Sequence, residues 1–142
     1  MTPLQKKVFQ ILQIFTQICD QLQLKYFLVC GSALGAVKYG GFVPWDDDVD
    51  VALFRNDYER FCKEAPALLP EQLFLQNFQS DPAFPAIYSK LRNSETACIE
   101  ESGEDFTLAL RSFQMMFSAR IIVILSGCED MSGCIQRLLS IG

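Results

Sequence analysis

The feature that most constrains the fold and function of this chain is a group of four aspartates. Three of them are consecutive, and a valine separates the fourth from them. Residues 46–53 read DDDVDVAL and begin 14 residues after the serine of a Gly-Ser pair. Successive side chains of an extended strand alternate between its faces, so Asp48 and Asp50 point the same way, with Cα atoms about 7 Å apart. Val49 and Val51 take the opposite face. The pattern predicts a strand with one acidic face and one face anchored in a core.

The acidic face is a candidate metal site. Like charges this close repel each other, and a divalent cation removes the conflict because hard carboxylate oxygens are the preferred ligands of Mg²⁺. We predict that Asp48 and Asp50 bind Mg²⁺ or Mn²⁺ directly and are catalytic. Asp46 is also predicted to be catalytic and is expected to join them at the strand entrance, through water or through contact with a metal ligand, and Asp47 is expected to point away. The alternative is a solvated acidic loop, which the alternation with valine and the preceding Pro44-Trp45 disfavour.

The Gly-Ser pair, Gly31 and Ser32, is a candidate phosphate site. It follows residues 26–30, an apolar segment that predicts a buried strand, and precedes residues 33–39, which predict a short helix. Amide hydrogens at the start of a helix lack partners within the helix and bind phosphate, and Ser32 adds a hydroxyl. A plain turn is the alternative, which the nearby aspartates disfavour. Lys38, on the same helix, either contacts a phosphate oxygen or is simply solvated.

Three further residues are candidates for substrate binding. Trp45 either stacks on a base or a sugar, or packs on the core as a loop anchor. Lys90 and Arg92 alternate with a leucine in a hairpin predicted from residues 87–92 and 97–101. Both basic side chains therefore lie on one face of their strand, where they either contact phosphates or face solvent.

The remaining elements predict an α+β fold. Apolar residues at helical spacing run through residues 4–22, and Thr2 and Gln5 form a capping box at the start of that helix. A further helix is predicted at residues 56–65 and a further strand at residues 73–78. Together these elements indicate a small mixed β-sheet flanked by helices. The acidic strand should be central in it, because its other face is apolar.

Composition excludes several classes of protein. The 142 residues suit one domain, and the net charge of −5 argues against nucleic-acid binding, which needs a basic face. Without histidine there is no Ser-His-Asp triad and no His-ligated zinc, so proton transfer falls to carboxylates, Lys, Tyr or water. No apolar run reaches the roughly 20 residues of a transmembrane helix. Six cysteines without a C-x-x-C pair favour buried, reduced thiols and hence a cytoplasmic protein.

Residues 31–50 carry a longer motif: Gly31-Ser32-x-Leu34-Gly35-Ala36, then Gly41-Phe42-x-Pro44-Trp45-Asp46-Asp47-Asp48-x-Asp50. This motif resembles the LicD family, which includes bacterial phosphocholine transferases and the fukutin-related proteins. Residues 88–96, YSKLRNSET, are similar to the Lys-Leu-Arg strand that follows the metal motif in that family. The resemblance runs from about residue 4 to residue 101. It implies a nucleotidyltransferase-like core over residues 1–102 and a divergent or truncated segment over residues 103–142.

The resemblance also implies a reaction. A substituted phosphate, phosphocholine or similar, would pass from a CDP-linked alcohol donor to a sugar hydroxyl of a cell-surface glycan such as lipopolysaccharide or teichoic acid. The cation would neutralise the donor diphosphate, and Gly31 and Ser32 would hold its phosphates. A third carboxylate is implied on a later strand, where Glu104 and Asp105 are candidates by position. Two other functions stay open: transfer of a nucleoside monophosphate to a small molecule or protein, and an inactive relic.

Overall fold

The computed structural model describes residues 1–84, 88–94 and 118–124, which form helices packed on a β-sheet. A 3-10 turn, Ala65–Ala67, follows the third helix. In chain order, the helices and strands are α1 (Pro3–Gln21), β1 (Tyr26–Leu28), α2 (Cys30–Tyr39), β2 (Val49–Phe54), α3 (Arg55–Glu64), β3 (Leu73–Gln76), β4 (Ser89–Asn93) and β5 (Ser118–Ile124).

The strands form one mixed sheet in the order β1-β2-β5-β4-β3. β2 and β5 run parallel, and the other three neighbouring pairs are antiparallel. β2, which carries Asp50, is internal, between β1 and β5. The predicted α+β fold with a small mixed sheet is confirmed, and the acidic strand does not lie at an edge.

The apolar face of β2 is anchored in the core, as its sequence predicts. Val49, Val51 and Leu53 are at most 2% exposed and belong to one buried cluster with Phe15 of α1 and Phe61 of α3. The rings of Phe15 and Phe61 lie 5.1 Å apart. Burying a side chain of this size contributes about 1.5–3 kcal/mol. Packing by α1 and α3 therefore fixes β2 from the face opposite to Asp50.

Helix α1 begins with the predicted capping box. The Thr2 hydroxyl accepts the N–H of Gln5 at 3.1 Å, and the Gln5 side-chain oxygen accepts the N–H of Thr2 at 2.9 Å. Two of the N–H groups at the helix start thus have partners. Val8, Phe15 and Ile18 form the buried stripe of this helix. Neither α1 nor any other helix in the described ranges is both long and apolar enough to cross a membrane.

Two helix starts differ from the prediction. Helix α2 begins earlier, at Cys30, because that residue adopts a left-handed backbone with φ 52°, which ends the extended segment after Leu28. Helix α3 begins at Arg55, one residue before the predicted start, and no side chain caps its first turn. The Arg55 side chain instead donates a hydrogen bond to Glu59, one turn later, at 2.6 Å.

The strand predicted at residues 73–78 is shorter than expected, and the first strand of the predicted hairpin is β4. β3 ends at Gln76 and not at residue 78, because the Asn77 side chain accepts the N–H groups of Gln79 and Ser80 and turns the chain. β4 pairs with β3 and with β5. Residues 97–101, the predicted partner strand, lie outside the described residues.

The described cysteines do not share one environment. Cys19 is fully buried, and burial, with a smaller contribution from Asp20, raises the pKa of its thiol to about 12. Burial also raises the pKa of the half-buried Cys62. Cys30 is exposed, so the expectation of buried thiols is wrong there, because the turn into α2 lies outside the core. The other three lie outside the described residues: Cys98, Cys128 and Cys134.

The end of α1 generates a stability prediction. Gln23 has a left-handed backbone with φ 55°, and Leu24 N–H returns to the Cys19 carbonyl at 2.8 Å, the hydrogen-bond pattern that favours glycine. Gln23→Gly should raise the free energy of unfolding by about 0.5–1 kcal/mol. Glycine removes the strain of the left-handed backbone, and this gain exceeds the conformational entropy that glycine adds to the unfolded chain. Gln21→Gly, two residues earlier in right-handed helix, should lower it by about 0.5–1 kcal/mol. Urea denaturation of both variants measures this, and equal shifts would contradict it.

Candidate functional site

The Gly-Ser turn and the acidic strand are joined by direct hydrogen bonds. The Ser32 hydroxyl oxygen accepts the backbone N–H of Asp50 at 2.8 Å, and the N–H of Val29 donates to the Asp50 carbonyl at 3.1 Å. Both backbone groups of Asp50 are therefore held by the segment that begins α2. Because Ser32 uses an oxygen lone pair in this bond, its own hydroxyl proton remains to donate to a phosphate oxygen. Ser32 also lines a mostly apolar cavity of about 340 Å³ between α1 and α2.

Asp46 lies against the start of α2. A Cβ atom added at Gly31 would collide with Oδ2 of Asp46, so the carboxylate is packed onto the glycine itself. A negative charge is favoured at this end of a helix by the helix dipole. The structure thus brings Asp46 to the Gly-Ser turn, while its predicted link to a metal through water stays a prediction.

The segment carrying the aspartates, residues 41–48, is called here the aspartate loop. It is packed on α2 at Gly35, where an added Cβ would meet the Gly41 carbonyl oxygen and, at 2.9 Å, the Val43 nitrogen. From α1, the Gln5 side chain donates to two carbonyl oxygens of the loop. Sequence reasoning identified Gln5 only as a helix cap. Several glutamines in α1 are exposed, and nothing in the sequence near Gln5 distinguishes it from them, so this second contact could not be predicted.

The two predicted metal ligands lie where the loop enters the strand. Asp48 is half-buried and directly precedes β2, Asp50 is 4% exposed within it, and Asp47 is exposed. In residues 1–84 and 88–94, no three acidic or cysteine side chains are grouped to hold a metal ion. Two carboxylates nevertheless fit Mg²⁺, which is typically held by one or two carboxylates together with substrate phosphates and water.

The predicted third carboxylate is not located. Glu104 and Asp105 lie outside the described residues. β5, the strand parallel to β2, reads SARIIVI and carries no carboxylate. Its residue in register with Asp50 is Arg120. A basic residue therefore occupies the backbone position nearest to Asp50 on this strand.

Trp45 and Lys38 lie at the rim of the site. Trp45 is 79% exposed and packs edge-on against Tyr39, with ring centroids 6.3 Å apart, so it does not serve as a core anchor. It lines a surface cavity of about 470 Å³ together with Asp46 and Asp47. Lys38 is exposed in the last turn of α2, roughly 10 Å along the helix axis from Gly31. The structure does not bring Lys38 to the Gly-Ser turn.

Lys90 and Arg92 lie on β4, two strands from β2. Lys90 is in register with Arg120, which is in register with Asp50, so the three backbone positions form one row across about 10 Å of sheet. Arg92 is half-buried with its guanidinium 4.9 Å from the Phe74 ring centroid. Burial lowers the pKa of Arg92, and Asp81 partly opposes this shift. A diphosphate and its substituents could span the roughly 10 Å between β2 and β4.

The contact between α2 and the aspartate loop generates a prediction. Gly35→Ala should lower the free energy of unfolding by about 1–3 kcal/mol, because its methyl group must push loop backbone away from the helix. Gly41→Ala is the matched control: nothing lies within 4 Å of an added Cβ, and a change of no more than about 0.5 kcal/mol is expected. Urea denaturation measures both. A Gly35→Ala variant as stable as the wild type would contradict the observed packing.

Comparison with known proteins finds a family whose domain covers the segment that carries this candidate site. Residues 23–107, more than half of the chain, match the family model described as LicD/FKTN/FKRP, nucleotidyltransferase domain. The lipopolysaccharide cholinephosphotransferase LicD of Haemophilus influenzae is 43% identical over 51 residues, which are 36% of this chain and 19% of that protein. The ribitol 5-phosphate transferase FKRP of Homo sapiens is 38% identical over 40 residues, which are 28% of this chain and 8% of that protein.

The chain spans a fifth or less of the length of these two relatives. The match to the family model nevertheless includes β1, α2, β2, α3, β3 and β4, and with them the Gly-Ser turn and all four aspartates. The chain belongs to the LicD/FKTN/FKRP family.

Proposed function

We propose that this protein transfers a substituted phosphate, phosphocholine or a similar group, from a CDP-linked donor to a sugar hydroxyl of a cell-surface glycan in a metal-dependent reaction. The observation that carries the proposal is the hydrogen bond from Asp50 N–H to the Ser32 hydroxyl. It joins the Gly-Ser turn, which is the proposed phosphate site, directly to the acidic strand. A donor diphosphate bound at the turn would therefore lie next to the cation that the strand would hold.

Asp48 and Asp50 would hold this cation, Mg²⁺ or Mn²⁺, which supplies charge neutralisation at the transferred phosphorus and on the leaving CMP. The hydroxyl proton of Ser32 and the amide hydrogens at the start of α2 would bind donor phosphate oxygens and orient them. Asp46, packed on Gly31, would form the wall of the phosphate site on the side of the aspartate loop. Lys90 and Arg92 would add positive charge for the outer part of the donor.

Trp45 would contact the sugar or the base. Its ring is exposed beside Asp46 and Asp47 in the cavity of about 470 Å³, so one face is open to stack on a ring of the substrate. The names of the relatives support transfer of an alcohol phosphate in general. One is a cholinephosphotransferase and the other a ribitol 5-phosphate transferase, so they do not choose the alcohol. The acceptor, lipopolysaccharide or teichoic acid, and the cytoplasmic location stay predictions.

One observation favours a second candidate, a protein of this family that binds nucleotide without transferring the phosphate. Arg120 is in register with Asp50 on a strand that has no carboxylate, whereas the reaction calls for a third carboxylate to align or deprotonate the acceptor. Transfer of a nucleoside monophosphate is a third reading of the same donor site. Release of CMP from a CDP-linked donor, in the presence of a glycan acceptor, separates alcohol phosphate transfer from both alternatives.

Metal-dependent binding is the first test. We expect calorimetric titration of CDP-choline into the folded full chain to show binding with Mg²⁺ and none with EDTA, because the cation offsets the repulsion between the carboxylates and the diphosphate. CDP-ribitol titrated in parallel compares the two alcohols. Absence of heat with both ligands in both buffers, from a folded sample, would contradict the proposed donor site.

The aspartates should differ in their effects on this binding. Asp48→Asn and Asp50→Asn should each reduce the Mg²⁺-dependent affinity at least about 100-fold, since each removes a proposed ligand. Asp47→Asn is the matched control, with the same change of charge at an exposed neighbour, and should alter the affinity less than about threefold. Circular dichroism checks that each variant is folded. Equal affinities for the three variants would refute the assignment of the ligands.

A further inference from the structure

Gln5 is one of the few buried polar side chains in the described residues, with 4% of its surface exposed. Its side-chain oxygen accepts the N–H of Thr2 at 2.9 Å. Its amide nitrogen donates to the carbonyl oxygen of Asp46 at 2.7 Å and to that of Val43 at 3.2 Å. Both amide hydrogens and one oxygen lone pair are therefore used, and the two contacts with the loop join residues 38 and 41 positions apart in the chain.

The two carbonyls belong to opposite ends of one turn. Residues 43–46 form this turn, closed by the N–H of Asp46 donating to the Val43 carbonyl at 3.0 Å, with Pro44 in a position typical of such turns. Gln5 therefore holds the turn at both ends. The carboxylate of Asp46, at the exit of the turn, is the one that packs on Gly31.

We propose that Gln5 is a positioning residue for the nucleotide site: its amide sets where the aspartate loop presents Asp46 and, through it, the entry of Asp48 into β2. This inference rests on the proposed function. It deepens that function by coupling the start of α1 to the site, because the same side chain that caps the helix also fixes the loop. An untethered loop would leave its carboxylates free to move away from the Gly-Ser turn.

The chemistry of the two contacts allows capping and anchoring to be separated. Glutamate also serves at this position of a capping box, so Gln5→Glu keeps an acceptor for Thr2 N–H. It replaces the two amide donors with an oxygen that faces two carbonyl oxygens, which breaks the loop contacts. Thr2→Ala does the opposite, since it removes the acceptor for Gln5 N–H and leaves the loop contacts in place.

The test compares these two variants with the wild type and with Gln10→Glu, which adds the same charge at an exposed position of α1. Amide hydrogen exchange by mass spectrometry reports on residues 41–48, thermal unfolding reports on stability, and titration with CDP-choline and Mg²⁺ reports on the site. In Gln5→Glu we expect exchange of the loop to be about tenfold faster. We also expect affinity to be about tenfold weaker. Thr2→Ala and Gln10→Glu should leave both unchanged, even where Thr2→Ala lowers the unfolding temperature.

Unchanged loop exchange in a folded Gln5→Glu, or equal effects of Gln5→Glu and Thr2→Ala on exchange and affinity, would overturn the proposal. If the wild type does not bind CDP-choline, the proposed function fails, and the comparison of loop exchange still decides the role of Gln5. Should Gln5→Glu not fold, Gln5→Met removes both donors without adding charge and is compared with Thr2→Ala in the same way.

Discussion

The hydrogen bond between Ser32 and the backbone of Asp50 is the interaction on which the site depends. β1 and β2 pair as far as Leu28 and Val51, and Val29 N–H still donates to the Asp50 carbonyl, but the Val29 carbonyl already accepts the N–H of Ala33 in α2. A strand amide left at such a position would be buried without a partner, at a cost of about 1–3 kcal/mol. The Ser32 hydroxyl takes the place of the missing strand carbonyl. One side chain therefore continues the sheet and fixes the start of a helix on it.

The position of Asp50 within the sheet sets the electrostatics of the site. A carboxylate that is 4% exposed loses most of its hydration, which requires compensation by hydrogen bonds or by opposite charge. Along its row of the sheet, the next backbone positions belong to Arg120 and Lys90, both basic. The proposed divalent cation would interact favourably with the acidic residue of this row, whereas the phosphates of the proposed donor would interact favourably with its two basic residues. This row of one acidic and two basic residues is a property of this sheet and is not implied by the aspartate motif alone.

Features with a local signature could be predicted from the sequence, and features made by distant contacts could not. The alternation of Asp and Val predicts the two faces of β2, and Thr2 with Gln5 predicts the start of α1, because both patterns act within a few residues. The packing of Asp46 on Gly31 and the contact of Gln5 with the aspartate loop join separate segments. Nothing in the composition of either segment marks these pairs. The left-handed backbone of Cys30 has no signature in the sequence, because such conformations favour Gly and Asn.

The place of β5 in the sheet has a consequence for how the chain folds. β5 begins 64 residues after β2 ends, and it inserts between β2 and β4, which precede it in the chain. Until β5 is available, both of those strands expose an unpaired edge, and such edges template association with other chains. The segment that matches the family model ends at residue 107, before this strand. A nascent or shortened chain that stops there would carry every aspartate of the motif, yet its sheet would be split into two open halves prone to intermolecular pairing.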